Sequence, residues 1–560
     1  MTDNANLHTH QQDGSAPPDP RALCVARFGR DGRGRQFVQL ELGGKSAILE
    51  LADILGTDKD LANALMSRGI ILADRVQISA VRAAVARADQ SPAFQLVTTP
   101  GWVGPSGYVW GAKVIGRLPK GTLFEPSLLT LGDRPQKFSR RGSMKAWRRS
   151  VEVLATDQQL VTFALIAGLA STMLRERGVQ PLMINIFGAT SLGKSALTSF
   201  AGSIFGGDPH RPIGFSESFK VTDFGLEKIF LAHNDSLCVL DEFSRVRGTD
   251  KQRLAILEAA VIDYCQGTPK TRGTDAGGGL NWSGVGLISA NVSYAKMIAK
   301  SGLEAAEAMT PRLIEIPADV GADLGVFHSL PARFQSSAEA IHAMQEATKA
   351  NFGVAGPHFV LKVIELRRKG PKSLRRRLDR WTRRFMRSTP QTGDSGASHV
   401  LEKFAALYAL GRLAKEVGTL PKSLNIEKAV RWAWHAARDN EDRGSDDLVE
   451  AVARFIRRKR KKFLKTPVSA DLTEAEALSQ RGFLHQGDNG REYLIPKPAF
   501  DRAFARLGGS RVVGPPLVRA GHLVAEDAAG KRFQAKRQLA PGLRLRLYCF
   551  KSSILRRNPK

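Results

Sequence analysis

Apolar and polar positions change period several times along the chain, and each change marks a new kind of element. From Arg21 to about Arg149, the short runs ALCVARF, RQFVQLEL and GYVWGAKVIG are separated by glycine-rich turns and predict strands, with one helical stretch near Leu51 to Met66. This mixture predicts an α+β domain over 21–143. Helical periodicity runs from Met144 to Arg175, and the apolar strand PLMINIF then opens an alternation of strands and helices that continues to Pro317. That rhythm is the one an α/β nucleotide fold requires, and it predicts such a core over 144–366. The run LVTFALIAGLASTML, Leu160 to Leu174, is uncharged but shorter than the roughly 20 residues of a bilayer span, so it predicts a buried helix.

Beyond the core the pattern becomes basic. Arg367 to Arg387, RRKGPKSLRRRLDRWTRRFMR, holds eleven cations against the single acid Asp379, and the polar linker STPQTGDSGAS follows, so 367–398 is read as a basic segment and boundary. A helical segment, 399–465, ends in RRKRKK. The last region, 466–560, is strands and turns with two similar units, RGFLHQGDNGREYLIP and AGHLVAEDAAGKRFQA, and it predicts a small winged-helix-like module. The first twenty residues lack both a basic n-region and an apolar core, which predicts a disordered leader without an export signal and a cytoplasmic protein.

Charge decides between classes of partner. The 560 residues carry 83 Lys+Arg against 54 Asp+Glu, a formal net charge of +29, which favours a polyanion, nucleic acid first, over an acidic small substrate. The four cysteines, Cys24, Cys238, Cys265 and Cys549, stand singly, which excludes a CxxC-type zinc site and gives no disulfide framework. Metal is expected only as the counter-ion of a nucleotide.

The sharpest motif follows PLMINIF. Residues Gly188, Ala189, Thr190, Ser191, Leu192, Gly193, Lys194 and Ser195 read GATSLGKS and fit G-x-x-x-x-G-K-[ST], with an apolar strand before and the helix ALTSFAGSIFG behind. Glycine at 188 and 193 lets the backbone curl so that amide groups and a helix N-terminus face phosphate oxygens. Lys194 would reach the β- and γ-phosphates of ATP, and Ser195 would bind Mg2+. Downstream, SLCVLDEF puts Asp241 and Glu242 at the end of an apolar run. A parallel strand would carry them beside the loop, Asp241 to the Mg2+ shell and Glu242 to the attacking water. Two such acids can also cap a helix. Asn291 ends the strand GVGLISAN, where it would hold the same water or cap the next helix. Arg312 precedes the strand LIEIP at the rim of the domain, where it would reach a neighbouring subunit's γ-phosphate or form a surface ion pair. Between these lies CQGTPKTRGTDAGGGLNW, Cys265 to Trp282, whose Lys270 and Arg272 would contact nucleic-acid phosphates or stay solvated.

Taken together, TPGW, GATSLGKS, HNDSLCVLDE, the QGTPKTR loop, SGVGLISAN, PRLIEIPAD and EKFAALYALGRLAKE resemble the P-loop ATPases of mobile genetic elements in domain-of-unknown-function family 927, from about Arg21 to Arg438. That family includes MCM-like AAA+ helicases of chromosomal cassette elements. The resemblance implies an AAA+ core with a helical lid over 399–465, a homo-oligomeric, hexameric ring on single-stranded or forked DNA, and a role for the Cys265 to Trp282 stretch as a β-hairpin in the channel. Element-encoded replication proteins are the further partners it implies. Lys403 stands where relatives often carry a lid arginine. With no zinc-ribbon cysteines or paired-carboxylate polymerase motif, a fused primase is not expected. The reading is an ATP-dependent DNA helicase or translocase acting in replication. The alternatives are an ATP-switched DNA-binding initiator or loader, and a defence-associated nucleic-acid-sensing NTPase.

Overall fold

A computed structural model describes residues 25–555 except 43, 73–74, 130–136, 208–213, 220, 242, 244–245, 271–279, 302–306, 310, 322, 390–394, 470, 488–489, 505–508 and 527–531. The chain divides into a smaller unit, Met1–Thr99 with Arg117–Thr130 and Thr271–Leu280, and a larger one holding the rest.

The smaller unit begins with the antiparallel strands β1 (Val25–Asp31), β2 (Gln36–Leu42) and β3 (Lys45–Glu50). Helices α1 (Leu51–Leu55), α2 (Asp58–Met66) and α3 (Arg75–Arg87) lead to β4 (Phe94–Val97), which pairs in parallel with β1. Alternation along β2 sends Val38 and Leu40 to the helix side and Phe37 to the other, so both faces of the sheet are covered. The helix expected over Leu51 to Met66 is interrupted. Thr57 caps α2, accepting from the Asp60 amide while the Asp60 carboxylate accepts from the Thr57 amide, and this reciprocal pair starts a new helix after Gly56.

Strands β5 (Gly101–Val103), β6 (Gly107–Trp110) and β7 (Lys113–Gly116) form an antiparallel meander in the larger unit, and β8 (Thr122–Phe124) then joins the smaller unit's sheet beside β4. The run GYVWGAKVIG is therefore a hairpin. Its bend falls at Gly111, where φ is +55° and a Cβ would lie 2.6 Å from the Phe138 side chain. The meander is tied into the larger unit through Asp235: the Trp102 amide donates to its Oδ2 at 3.1 Å, and Tyr108 Oη donates to its carbonyl at 2.7 Å.

The larger unit continues with α4 (Met144–Ala155) and α5 (Gln159–Ala170), every residue of which is buried. Its uniformly apolar sequence is that of a helix enclosed by protein on all sides. Among the described residues no helix is long and apolar enough to cross a membrane. A central sheet follows: β9 (Leu182–Phe187), α6 (Lys194–Gly202), β10 (Glu217–Ser218), α7 (Asp223–Ala232), β11 (Cys238–Asp241), α8 (Asp250–Gln266), β12 (Val285–Ala290), α9 (Tyr294–Ser301) and β13 (Leu313–Pro317). The strand order is β10-β11-β12-β9-β13 and every pair is parallel. Parallel strands need crossovers that cover both faces, which is why these strands read as continuous apolar runs.

Helices α10 (Ser337–Ala350), α11 (Ala355–Lys369), α12 (Pro371–Arg387), α13 (Ser395–Glu416) and α14 (Ile426–Lys459) complete this core, with Phe404 of α13 stacked on Phe163 of α5 at 5.8 Å. The far end of α14 supplies Val452 and Ile456 to a separate cluster around Phe463, Tyr493, Phe500 and Phe550. That cluster belongs to the terminal region: β14 (Leu464–Lys465), α15 (Glu474–Ser479), β15 (Phe483–Gly487), β16 (Gly490–Ile495), α16 (Lys497–Phe504), α17 (Gly509–Arg519), β17 (Ala535–Ala540) and β18 (Leu543–Lys551), with sheet order β14-β15-β16-β18-β17. Of the two similar sequence units, the first is the β15–β16 hairpin. Among the described residues of the second, Leu523 bridges to Phe550 and β17 starts at Ala535.

Asp235 gives this packing a pH signature. Its carboxyl is buried, which pushes its pKa up to about 6 against the opposing pull of Arg175, whose Nε lies 3.4 Å from Oδ1. Between its ordinary value near 3.8 and about 6, the folded chain holds a proton that the unfolded chain releases, so this group's contribution to stability falls as pH rises through that window. The stability of the wild-type protein relative to Asp235→Asn should therefore fall by about 2 kcal/mol between pH 4 and 6, read from urea unfolding midpoints of the two proteins at both pH values.

Candidate nucleotide-binding site

The site is built at the carboxyl edge of the central sheet. Strand β9 ends at Phe187, the Gly188 amide donates to the Ala290 carbonyl at the end of β12, and the chain then bends into α6. The bend uses left-handed backbone at Ser191 (φ +68°) and Gly193 (φ +89°). A Cβ at 193 would lie 2.9 Å from Ile341 of α10, so glycine is needed there both for conformation and for space. Behind the loop, Gly325 (φ +62°) brings the chain so near that a Cβ would sit 2.4 Å from the Leu192 carbonyl, and the Val326 amide donates to that carbonyl at 3.1 Å. The segment after β13 thus braces the loop. Nothing in the spacing of VGADLGVF signals this, because the contact is made only once β13 lies beside β9.

The loop fits a phosphate chain. The backbone amides of residues 189–193 have no hydrogen-bond acceptor among the described residues, and Ala189, Thr190 and Ser191 are exposed at the bend. Unpartnered amides at the start of a helix are anion donors. Lys194 is buried, and its Nζ donates to the carbonyls of Gly188 at 2.9 Å and Ala189 at 2.5 Å. Burial lowers its pKa, opposed by the negative charge of Asp241. The hydroxyl of Ser195 lies 3.4 Å from Asp241 Oδ1, although the two residues come from elements separated by β12. A hydroxyl and a carboxylate converging beside a phosphate loop are the donor set for a hard divalent cation such as Mg2+.

Ser289 of β12 also donates to Asp241 Oδ1, fixing the carboxylate from the intervening strand. Sequence reading did not single out Ser289. Its signal is its place two residues before Asn291, which follows β12 at the same edge and is exposed. Glu242 lies outside the described residues.

One expected site residue, Arg312, lies at the other end of the sheet. The register pairs Leu313 with Met183 and Pro317 with Phe187, so Arg312 sits at the amino edge, about 16 Å of strand from the loop of its own chain. There its Nη1 donates to the Ala308 carbonyl at 2.8 Å, while its buried Nε has no partner among the described residues. Lys403, also buried, donates to the neighbouring Pro311 carbonyl, so it too stands at this edge.

The basic loop is rooted at the same amino edge. Cys265, the first residue of the stretch, is buried inside α8, where burial pushes its thiol up to about 11. The loop proper leaves at Gly267, whose carbonyl accepts from the Trp282 amide at 2.9 Å, and Trp282 Nε1 donates to the Tyr264 carbonyl at 2.8 Å. These bonds staple the departing and returning chain. Lys270 is half-exposed, with Nζ 3.0 Å from Asp263 and 3.6 Å from Asp223, and the Asp263 hydrogen bond raises its pKa. Arg272 lies outside the described residues, and the described residues of the stretch contain no strand.

Residues 15–279 match the family model described as Domain of unknown function (DUF927). A solved structure described as "SCCmec type IV Cch - active helicase" matches with a TM-score of 0.68 and 15% identity, over 95% of this chain and 94% of that chain. At that identity the likeness is one of fold, and it extends through the regions beyond the DUF927 match. No curated protein matches.

The geometry separates two kinds of substitution at this edge. Lys194→Ala should abolish ATP binding, because it removes the loop's only buried cation among the described residues. Ser289→Ala should leave nucleotide affinity without Mg2+ within about twofold while weakening the Mg2+-dependent gain by about 1.5–3 kcal/mol, the worth of a hydrogen bond to a charged group. Titration of a fluorescent ATP analogue with and without Mg2+ checks both.

Proposed function

We propose that this protein is a Mg2+-dependent ATPase of the AAA+ class that works as an oligomeric ring, hexameric by analogy, to move along or unwind DNA in the replication of a mobile genetic element. The observation that carries the reading is the approach of Ser195 to Asp241 at 3.4 Å across an all-parallel sheet whose phosphate loop leaves unpartnered amides at a helix start. In this reading, backbone amides and Lys194 hold the phosphates, Ser195 and Asp241 would hold Mg2+, which would supply positive charge beside the phosphates, and Glu242 and Asn291 orient water. The full-length likeness of fold to a structure described as an active helicase supports a helicase-like role. The net charge of +29 supports a nucleic-acid partner, and the terminal sheet with α15 to α17 is the candidate winged-helix-like module.

The two edges of the sheet divide the work. Arg312 and the root of the basic loop lie away from their own phosphate loop, the arrangement required if one serves a neighbour's nucleotide and the other contacts DNA. The Asp263 and Asp223 carboxylates hold Lys270 near the base of the loop, and DNA phosphates would have to compete with them.

Glu242→Gln should keep ATP bound and slow hydrolysis by at least about a hundredfold, the scale of general-base loss. Arg312→Ala should be as inactive, and mixing the two proteins should restore part of the activity, since each keeps the half-site the other lacks. ATPase titrations of one mutant into the other in a verified mixed ring check this. Failure to recover any activity would exclude the action of Arg312 in trans.

Replacing Lys270 and Arg272 with Ala should leave basal hydrolysis within about twofold and lower both DNA stimulation and unwinding. The salt dependence of single-strand binding should flatten by about 0.7 in log–log slope for each cation that no longer meets a phosphate. Strand-displacement and binding assays across a salt series check it, and wild-type unwinding by the double mutant would remove the loop from the mechanism.

A further inference from the structure

Helix α12 carries a charge pattern that the ATPase reading does not use. Its apolar residues Leu374, Leu378 and Phe385 are buried, and Phe385 packs on Tyr408 with ring centres 5.0 Å apart. Its one acid, Asp379, faces Arg177 at 2.8 Å, and Arg377 is bound to Glu416 on α13, so the helix is fastened on both flanks of its buried face. The outer side is different. Lys372, Arg376, Arg380, Arg383, Arg384 and Arg387 are all exposed, and at 3.6 residues per turn they fall within roughly a third of the circumference. None of the six has a carboxylate within ion-pair distance among the described residues. The row is about 22 Å long at 1.5 Å per residue.

We propose that this face of α12 is a binding surface for the phosphate backbone of duplex DNA, separate from the nucleotide site and from the basic loop. The packed inner face makes the row rigid, and a stiff duplex presents phosphates in an equally fixed line, so neither partner must be ordered on contact. A row of 22 Å covers about six base pairs of duplex axis. Five of the six cations are arginines, whose planar forks bind phosphate oxygens in pairs. A lipid surface fits poorly, because an interfacial helix buries its apolar face in the membrane and here that face is inside the protein.

The test measures binding of nucleotide-free protein to a short blunt-ended duplex across a potassium chloride series. The triple variant Arg376→Gln, Arg380→Gln, Arg383→Gln should lower the log–log salt slope by about 0.9 for each cation removed, equally for unrelated sequences. Replacing the same three arginines with lysine should keep the slope. Removing three scattered charges, at the exposed Lys59, Lys113 and Lys120, should also keep it. Lys194→Ala, which disables the nucleotide site, should bind duplex as the wild type does, so failure of the ATPase reading would leave this result standing. The proposal is overturned if the glutamine variant keeps the wild-type slope, if the lysine variant loses it, or if the scattered control loses as much. It is also overturned if the glutamine variant binds duplex normally but no longer binds vesicles of phosphatidylserine and phosphatidylcholine that the wild type binds.

Discussion

The bend between β9 and α6 governs everything gathered at the carboxyl edge of the central sheet. Parallel strands all end at one edge, so a chain that turns there through left-handed backbone at Ser191 and Gly193 exposes its first helical amides beside the ends of β11 and β12. An antiparallel sheet would alternate strand ends and scatter these groups. The bend costs conformational strain, since φ is +68° at a serine, and the bracing of Leu192 by Gly325 and Val326 holds it in place. Burial of α5 below the sheet and the stacking of Phe163 on Phe404 make that support rigid.

The same sheet separates two groups of polar and charged residues by its two edges. The carboxyl edge gathers Lys194, Ser195, Asp241 and Ser289, while the amino edge gathers Arg312, Lys403 and the stapled base of the basic loop. A strand length between them is enough for screening and solvent to uncouple charges at one edge from those at the other. The cationic face of α12 lies on a third element, fastened by Asp379 and Glu416, so its charge is held apart from the chemistry.

Features that depend on neighbouring residues were legible in the chain alone. GATSLGKS needs only its own order to specify a glycine bend and a helix start, and the continuous apolar runs of β9, β11 and β12 specify strands covered on both faces, because each property is set within a few residues. The apolar run of α5 was legible as a buried helix for the same reason. Local patterning was less informative where capping competes with periodicity: Thr57 and Asp60 end one helix and start another within a run that reads as continuous. Contacts between distant segments came from the packed fold. Asp241 meets Ser195 across the intervening β12, Ser289 joins them from that strand, and Gly325 reaches Leu192 because β13 pairs with β9. The meander Pro100–Gly116 belongs to the larger unit because Asp235, more than a hundred residues away, accepts its Trp102 amide. Such contacts are fixed by strand order and register, which the whole core sets at once, and no window of sequence contains them.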